Sequence, residues 1–129
     1  MIRLHVAAVL ALVDAVPNVN VYDAIVPNDP ALPYVVVRTD TGPRTRSSIL
    51  ATSDRLDLTV WCTSVGATRE QAQWVAEKVA GALLDVRPTV SGRQCFPIES
   101  VNSQPAQRDD AISPPLMYAV DEYRLTSIP

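Results

Sequence analysis

Histidine is almost missing from this sequence: His5 is the only one. Two cysteines accompany it, Cys62 and Cys95, far apart and in no C-x-x-C or other metal-like spacing. One imidazole without paired thiols assembles neither a zinc site nor a Cys–His nucleophile pair. A Ser-His-Asp triad would have to use His5, and no G-x-S-x-G elbow is present. Glycine is scarce, at four residues, and no phosphate-cradling G-x-x-x-x-G-K-[ST] or G-x-G-x-x-G occurs. Lysine is limited to Lys78 against ten arginines. That bias fits GC-rich coding, and it also fits arginine used for bidentate carboxylate pairing at subunit contacts. The formal net charge of -3 leaves no electrostatic footprint for nucleic acid and no attraction to an acidic membrane surface.

What is present is apolar substance. Of 129 residues, 47% are hydrophobic, enough for one domain spanning 1–129 with a core that needs no staples. Cys62 and Cys95 read as buried or half-buried free thiols, which suits a reducing cytosol. The apolar run Val6 to Val13 is too short to span a membrane. His5, Asp14 and the lack of a small-x-small cleavage site argue against a signal peptide, so the expectation is a soluble chain that is not exported.

Ile2 to Ala15 has helical spacing through Leu4, Ala7, Ala8, Ala11, Leu12 and Ala15, stopped by Pro17. Val6, Val9, Leu10 and Val13 widen the apolar stripe, so this helix is expected to be covered on two sides. Val19 to Tyr22 is a short strand, and Pro27 to Pro33 a turn-rich connection. Tyr34 to Thr39 is a β-branched strand. Thr41 to Ser48 reads as a mobile polar loop.

Asp54 to Cys62 alternates: Leu56, Leu58, Val60 and Cys62 point one way, Arg55, Asp57, Thr59 and Trp61 the other. The first set packs on helices, and the second must face water or a partner. Thr68-Arg69-Glu70-Gln71 matches a capping box, with Thr68 bonding forward and Gln71 reaching back. The helix it opens carries Ala72, Val75, Ala76, Val79, Leu83 and Val86 on one stripe and ends at Arg87-Pro88. Thr89 to Ile98 and Glu99 to Ser103 are two strands or one strand bent at Pro97. Gln104 to Pro115 reads as a loop and Leu116 to Thr126 as a last strand of unassigned faces. The order of elements predicts an α+β fold: a mixed or mainly antiparallel β-sheet of four to six strands with two α-helices packed on one face.

Carboxylates offer no convergent pair. Adjacent strand residues such as Asp121 and Glu122 point to opposite faces, and Asp109 and Asp110 beside Arg108 fit a solvated loop or a partner contact. Arg44 and Arg46 are close, yet no aromatic is interleaved as in a nucleic-acid groove. They fit a solvated loop or an arm that orders on assembly. Trp61 lies on the outward face of its strand and Trp74 beside the stripe of the second helix. Each fits ordinary packing or the anchoring of a subunit interface, where Trp and Arg are enriched.

Several segments together are similar to a known family. The first helix is followed by Val21-Tyr22-Asp23, then Pro33-Tyr34-Val35-Val36-Val37. The strand Leu56-Asp57-Leu58-Thr59-Val60-Trp61 then leads into the helix region Thr68 to Leu84, and Tyr118-Ala119-Val120-Asp121-Glu122-Tyr123-Arg124-Leu125 closes the chain. This resembles the tail terminator and tail completion proteins of siphophages, which carry a "VYD…P…PYVVV" stretch and a "VTVWS"-like strand ahead of an amphipathic helix. Cys62 stands where a small polar residue is more usual.

The resemblance implies a virion protein without cofactor or reaction. It implies a ring, typically a hexamer, at the head-proximal end of the tail tube. That ring stops tube polymerisation and presents the surface that joins the head. The implied partners are other copies of the chain, the major tail tube protein and head–tail connector proteins; DNA passes through the lumen without sequence recognition. A closed ring needs contacts between two different patches of each subunit. The candidates are the 41–52 loop with Arg44 and Arg46, the Arg55/Asp57/Trp61 face, the 104–115 loop with Arg108 and Asp109, and Trp74. The alternatives are another neck protein, such as a head-closure or connector subunit, and a small cytosolic enzyme or ligand-binding module.

Overall fold

The computed structural model describes residues 2–46, 48–50, 53–111 and 114–129. Of the two candidate loops, residues 47, 51, 52, 112 and 113 lie outside the described residues.

The frame is set by two long neighbouring strands, β4 (Arg55–Gly66) and β8 (Leu116–Ile128). They run antiparallel in continuous register from Leu56↔Ser127 to Gly66↔Met117. β2 (Tyr34–Thr39) is antiparallel to the second half of β4, and β1 (Asn20–Asp23) adds parallel to β2 at the edge. β3 (Arg44–Thr45) pairs with the start of β4, at Leu56 and Arg55. Three short pieces line the far edge of β8: β5 (Gln94–Cys95), β6 (Glu99–Ser103) and β7 (Gln107–Asp109). The sheet is therefore mixed, and α1 (Ile2–Asp14) and α2 (Arg69–Leu83) pack into one core on one of its faces.

The sheet has eight strands rather than four to six. The excess lies in the short pieces. Pro97 and Pro105 cannot donate to a ladder, so the chain beside β8 is cut into separate segments. β3 and β7 are stretches of two and three residues inside segments that read as loops from composition alone.

Alternation along β4 decides the layering. Leu56, Leu58, Val60 and Cys62 are at most 1% exposed, whereas Arg55, Asp57, Thr59 and Trp61 are half-buried. Tyr123 and Leu125 of β8 and Val35 and Val37 of β2 join the first set, which meets Val75, Val79 and Leu83 of α2. Each such fully buried aliphatic side chain contributes about 1.5–3 kcal/mol relative to an exposed one. The faces of β8 follow from its pairing: Ala119, Asp121, Tyr123 and Leu125 turn to the helices, and Tyr118, Glu122 and Arg124 turn away.

α1 buries a different stripe from the expected one. Its fully covered residues are His5, Val9 and Val13, four apart, while Leu4 is 51% exposed and Ala7 and Ala11 face outward. α1 packs against α2 and β1. Small alanines bury little area, and His5 is drawn inward because its Nε2 meets Ser127 Oγ at 2.7 Å.

α2 begins as expected: Thr68 caps it, its side chain accepting from the N–H of Gln71. The Gln71 side chain reaches one residue further back than in the usual box and accepts from the Ala67 N–H at 2.7 Å. The helix stops at Leu83, short of Arg87-Pro88. Asp85 takes a left-handed conformation (φ 62), its N–H bonds the carbonyl of Ile98, and the Ile98 N–H returns to Val86. That exchange with the β6 side ends the helix before proline can.

Candidate functional site

The face of the sheet away from the helices is the candidate site, because among the described residues no helix packs on it, although Tyr34, Val36 and Val65 at one end of it are buried. Its centre is a row across three strands. The register sets Arg38 of β2 opposite Trp61 of β4, and Trp61 opposite Glu122 of β8. Side chains directly opposite in an antiparallel pair lie on one face, so cation, indole and carboxylate stand side by side.

Toward the start of β4 the face is polar. Arg55 Nε lies 3.4 Å from Asp57 Oδ1, and the same carboxylate oxygen accepts from Thr126 Oγ1 at 2.6 Å. Asp57 is thereby held by neighbours on β4 and β8.

Toward the end of β4 the face becomes an apolar groove of about 210 Å³. Tyr34, Val36 and Val65 form its floor, flanked by Val26, Leu116 and Tyr118. Tyr22 meets Tyr34 edge-on with ring centroids 5.5 Å apart. Burial raises the Tyr34 phenol above its ordinary pKa, and the nearby Tyr22 and Asp109 add to the rise. Arg38 and Asp109 stand among the groove residues. The groove is smaller than the ~300–1,000 Å³ of ordinary small-molecule pockets.

The residues singled out from sequence fall into separate places. Arg55, Asp57 and Trp61 lie on the open face. Asp109, on β7, lines the groove, and its carboxylate accepts from the Ala111 N–H at 3.0 Å. Arg108 turns to Asp110 instead (Nε to Oδ1 2.6 Å), and both are exposed. Arg44 and Arg46 are exposed at the β3 end, and among the described residues neither forms an ion pair. Trp74 belongs to the helix layer and not to the open face; Lys78 Nζ sits 5.8 Å from its ring centroid.

Two features escaped sequence reading. The groove is one: Tyr34-Val35-Val36-Val37 reads as a strand, but a continuous β-branched run gives no face. The other is Ile49 and Leu50, 91% and 97% exposed in the connection from β3 to β4. An apolar pair inside a polar loop was the available signal.

The one histidine–serine contact is sealed. His5 and Ser127 are both fully buried, and Arg93 completes the cluster. Its Nη2 donates to the Asp54 carbonyl at 2.7 Å and the Ser127 carbonyl at 2.9 Å. No substrate reaches this serine, so the cluster ties α1, β4 and β8 together. Both cysteines are buried free thiols, as expected. Burial pushes the Cys62 thiol up to about 12, with Asp121 contributing. No helix is long and apolar enough to cross a membrane, among the described residues.

The same architecture occurs elsewhere. A chain in a solved structure, the virion of a native gene transfer agent particle, superposes with a TM-score of 0.62 at 18% identity. The match covers 95% of this chain and 86% of that one, and it shows a shared fold. No curated protein sequence matches. The family model described as tail completion protein gp17 matches residues 3–112. With that match extending from α1 through β7, the chain belongs to the tail completion protein gp17 family and is a structural protein of the bacteriophage tail.

Proposed function

We propose that this protein, a single domain over 1–129, forms a closed ring that caps the head-proximal end of the phage tail tube. The ring ends tube polymerisation and offers the head its joining surface. It is six-membered in the form that the family resemblance implies. Its partners are further copies of the chain, the major tail tube protein and head–tail connector proteins. DNA passes through the lumen without sequence recognition.

The observation that carries this reading is the uncovered sheet face. A single helix layer seals one side, and the other presents Trp61 between Arg38 and Glu122 beside an apolar groove. Aromatic and arginine side chains on an otherwise polar face are the composition of interface centres. Family membership supplies the setting, the phage tail.

The test is the native mass of the purified protein by light scattering across concentration, with negative-stain images of the same fractions. Rings with a central hole are expected, and pull-down with tail tubes is expected to succeed. A monomer at every concentration and on every tube preparation overturns the reading. Binding to portal-side proteins alone reassigns the chain to another position in the neck.

A further inference from the structure

The groove and the Ile49–Leu50 pair lie at opposite ends of one sheet. Ile49 and Leu50 project from the connection between β3 and β4, whose base is Arg55. The groove floor includes Val65, near the other end of the same strand. Ten residues of strand separate Arg55 from Val65, roughly 33 Å at ~3.3 Å per residue. The connection from Arg46 to Asp54, doubled back on itself, reaches about 15 Å from its base at most. The apolar pair therefore cannot fill the groove of its own chain.

We infer that Ile49 and Leu50 of one subunit dock into the Tyr34/Val36/Val65/Tyr118 groove of a second copy. This rests on the ring reading above and names the contact that closes the ring. Donor and acceptor are different patches at opposite ends of the subunit, so each copy offers one of each, and the contact repeats head to tail. The donor is two branched aliphatic side chains; the acceptor is a groove of about 210 Å³ with an apolar floor of Tyr34, Val36 and Val65 and polar groups at Arg38, Thr63 and Asp109. Left in water, two nearly fully exposed aliphatic residues gain nothing; burying each contributes about 1.5–3 kcal/mol.

Charge favours the same occupant. Arg44 and Arg46 precede the donor pair and have no ion pair among the described residues. On the acceptor, Asp109 lines the groove with its carboxylate bonded only to a backbone N–H among the described residues. Arg38 is the groove's other charged residue, and it lies on a different strand from Asp109, so the cationic arm approaches along the β7 side.

The decisive experiment is complementation between two variants of the full chain. An arm variant, Ile49→Asp with Leu50→Asp, changes exposed positions only. A groove variant carries Tyr118→Asp, with Val26→Asp as a second version in case the first unfolds; circular dichroism checks each fold. Wild type is expected to form rings, and each variant alone to associate at least about tenfold more weakly. Mixed one to one, the variants retain one intact arm and one intact groove between them, so the mixture is expected to form dimers and to stop there. Wild-type rings together with arm-variant rings overturn the inference and leave the ring reading standing. Arm-variant rings that no longer join tail tubes also overturn it, moving the arm to the tube. Wild type that never forms rings removes the ring reading and this contact together.

Discussion

His5 Nε2 and Ser127 Oγ meet at 2.7 Å across 122 residues of chain, joining the first helix to the last strand inside the core. Arg93 bonds the same hydroxyl and carries the link on to the carbonyl of Asp54, at the root of the β4 strand. Removing one partner of a buried polar set leaves the others unsatisfied. His5→Ala is expected to cost about 1–3 kcal/mol by urea denaturation. Arg93→Ala is expected to cost as much, and to loosen hydrogen-exchange protection at the start of β4.

Gly66 marks the place where β4 hands over to α2. A Cβ there would lie 2.7 Å from the Ala72 backbone nitrogen and 2.8 Å from Gln71 Cβ. Backbone of a capped helix cannot easily yield, so Gly66→Ala is expected to destabilise by about 1–3 kcal/mol. Gly81, with open space where its Cβ would go, is the control, and Gly81→Ala in α2 is expected to stabilise by about 0.5–1 kcal/mol. Thermal melts of the two variants check both signs.

Alkaline pH is expected to weaken the fold through Cys62. Burial raises its thiol from 9.0 to about 12, so between those values the folded chain keeps a proton that the unfolded chain releases. Stability is therefore fully present below about pH 9 and declines as pH rises toward 12, by about 1.4 kcal/mol per pH unit from this group. The raised phenols of Tyr123 and Tyr34 act in the same direction above pH 10. Denaturation midpoints across pH 8–11 check the slope, which Cys62→Ala is expected to reduce. The same burial predicts that iodoacetamide leaves Cys62 unmodified in the native protein and labels it after unfolding.

The two faces of β4 are expected to answer different assays. Leu58→Ala, on the fully buried side, is expected to cost about 2–5 kcal/mol of stability. Trp61→Ala, on the open side, is expected to change stability less and to lower assembly, read by light scattering at matched concentration.

Much of this was legible in the residues, and the limits are physical. Period-two alternation fixed both faces of β4, because Leu and Val alternate there with Arg, Asp and Thr. Thr68 and the stripe from Ala72 to Leu83 fixed α2. Three things were not legible. α1 is apolar nearly all round, so periodicity could not choose its buried stripe, and the choice went to His5 through a partner 122 residues away. The short edge pieces β3 and β7 owe their pairing to the long strands they lie against, not to local propensity. The groove draws on β2, β4 and β8, whose register no single segment encodes.

The strict alternation along β4 has an evolutionary corollary. Because neighbouring side chains serve opposite clients, one set can be rewritten by substitution while the other stays under its own constraint. A one-residue insertion or deletion would instead exchange the two sets and ruin both. Such a strand permits change in what the outer face meets without change in architecture.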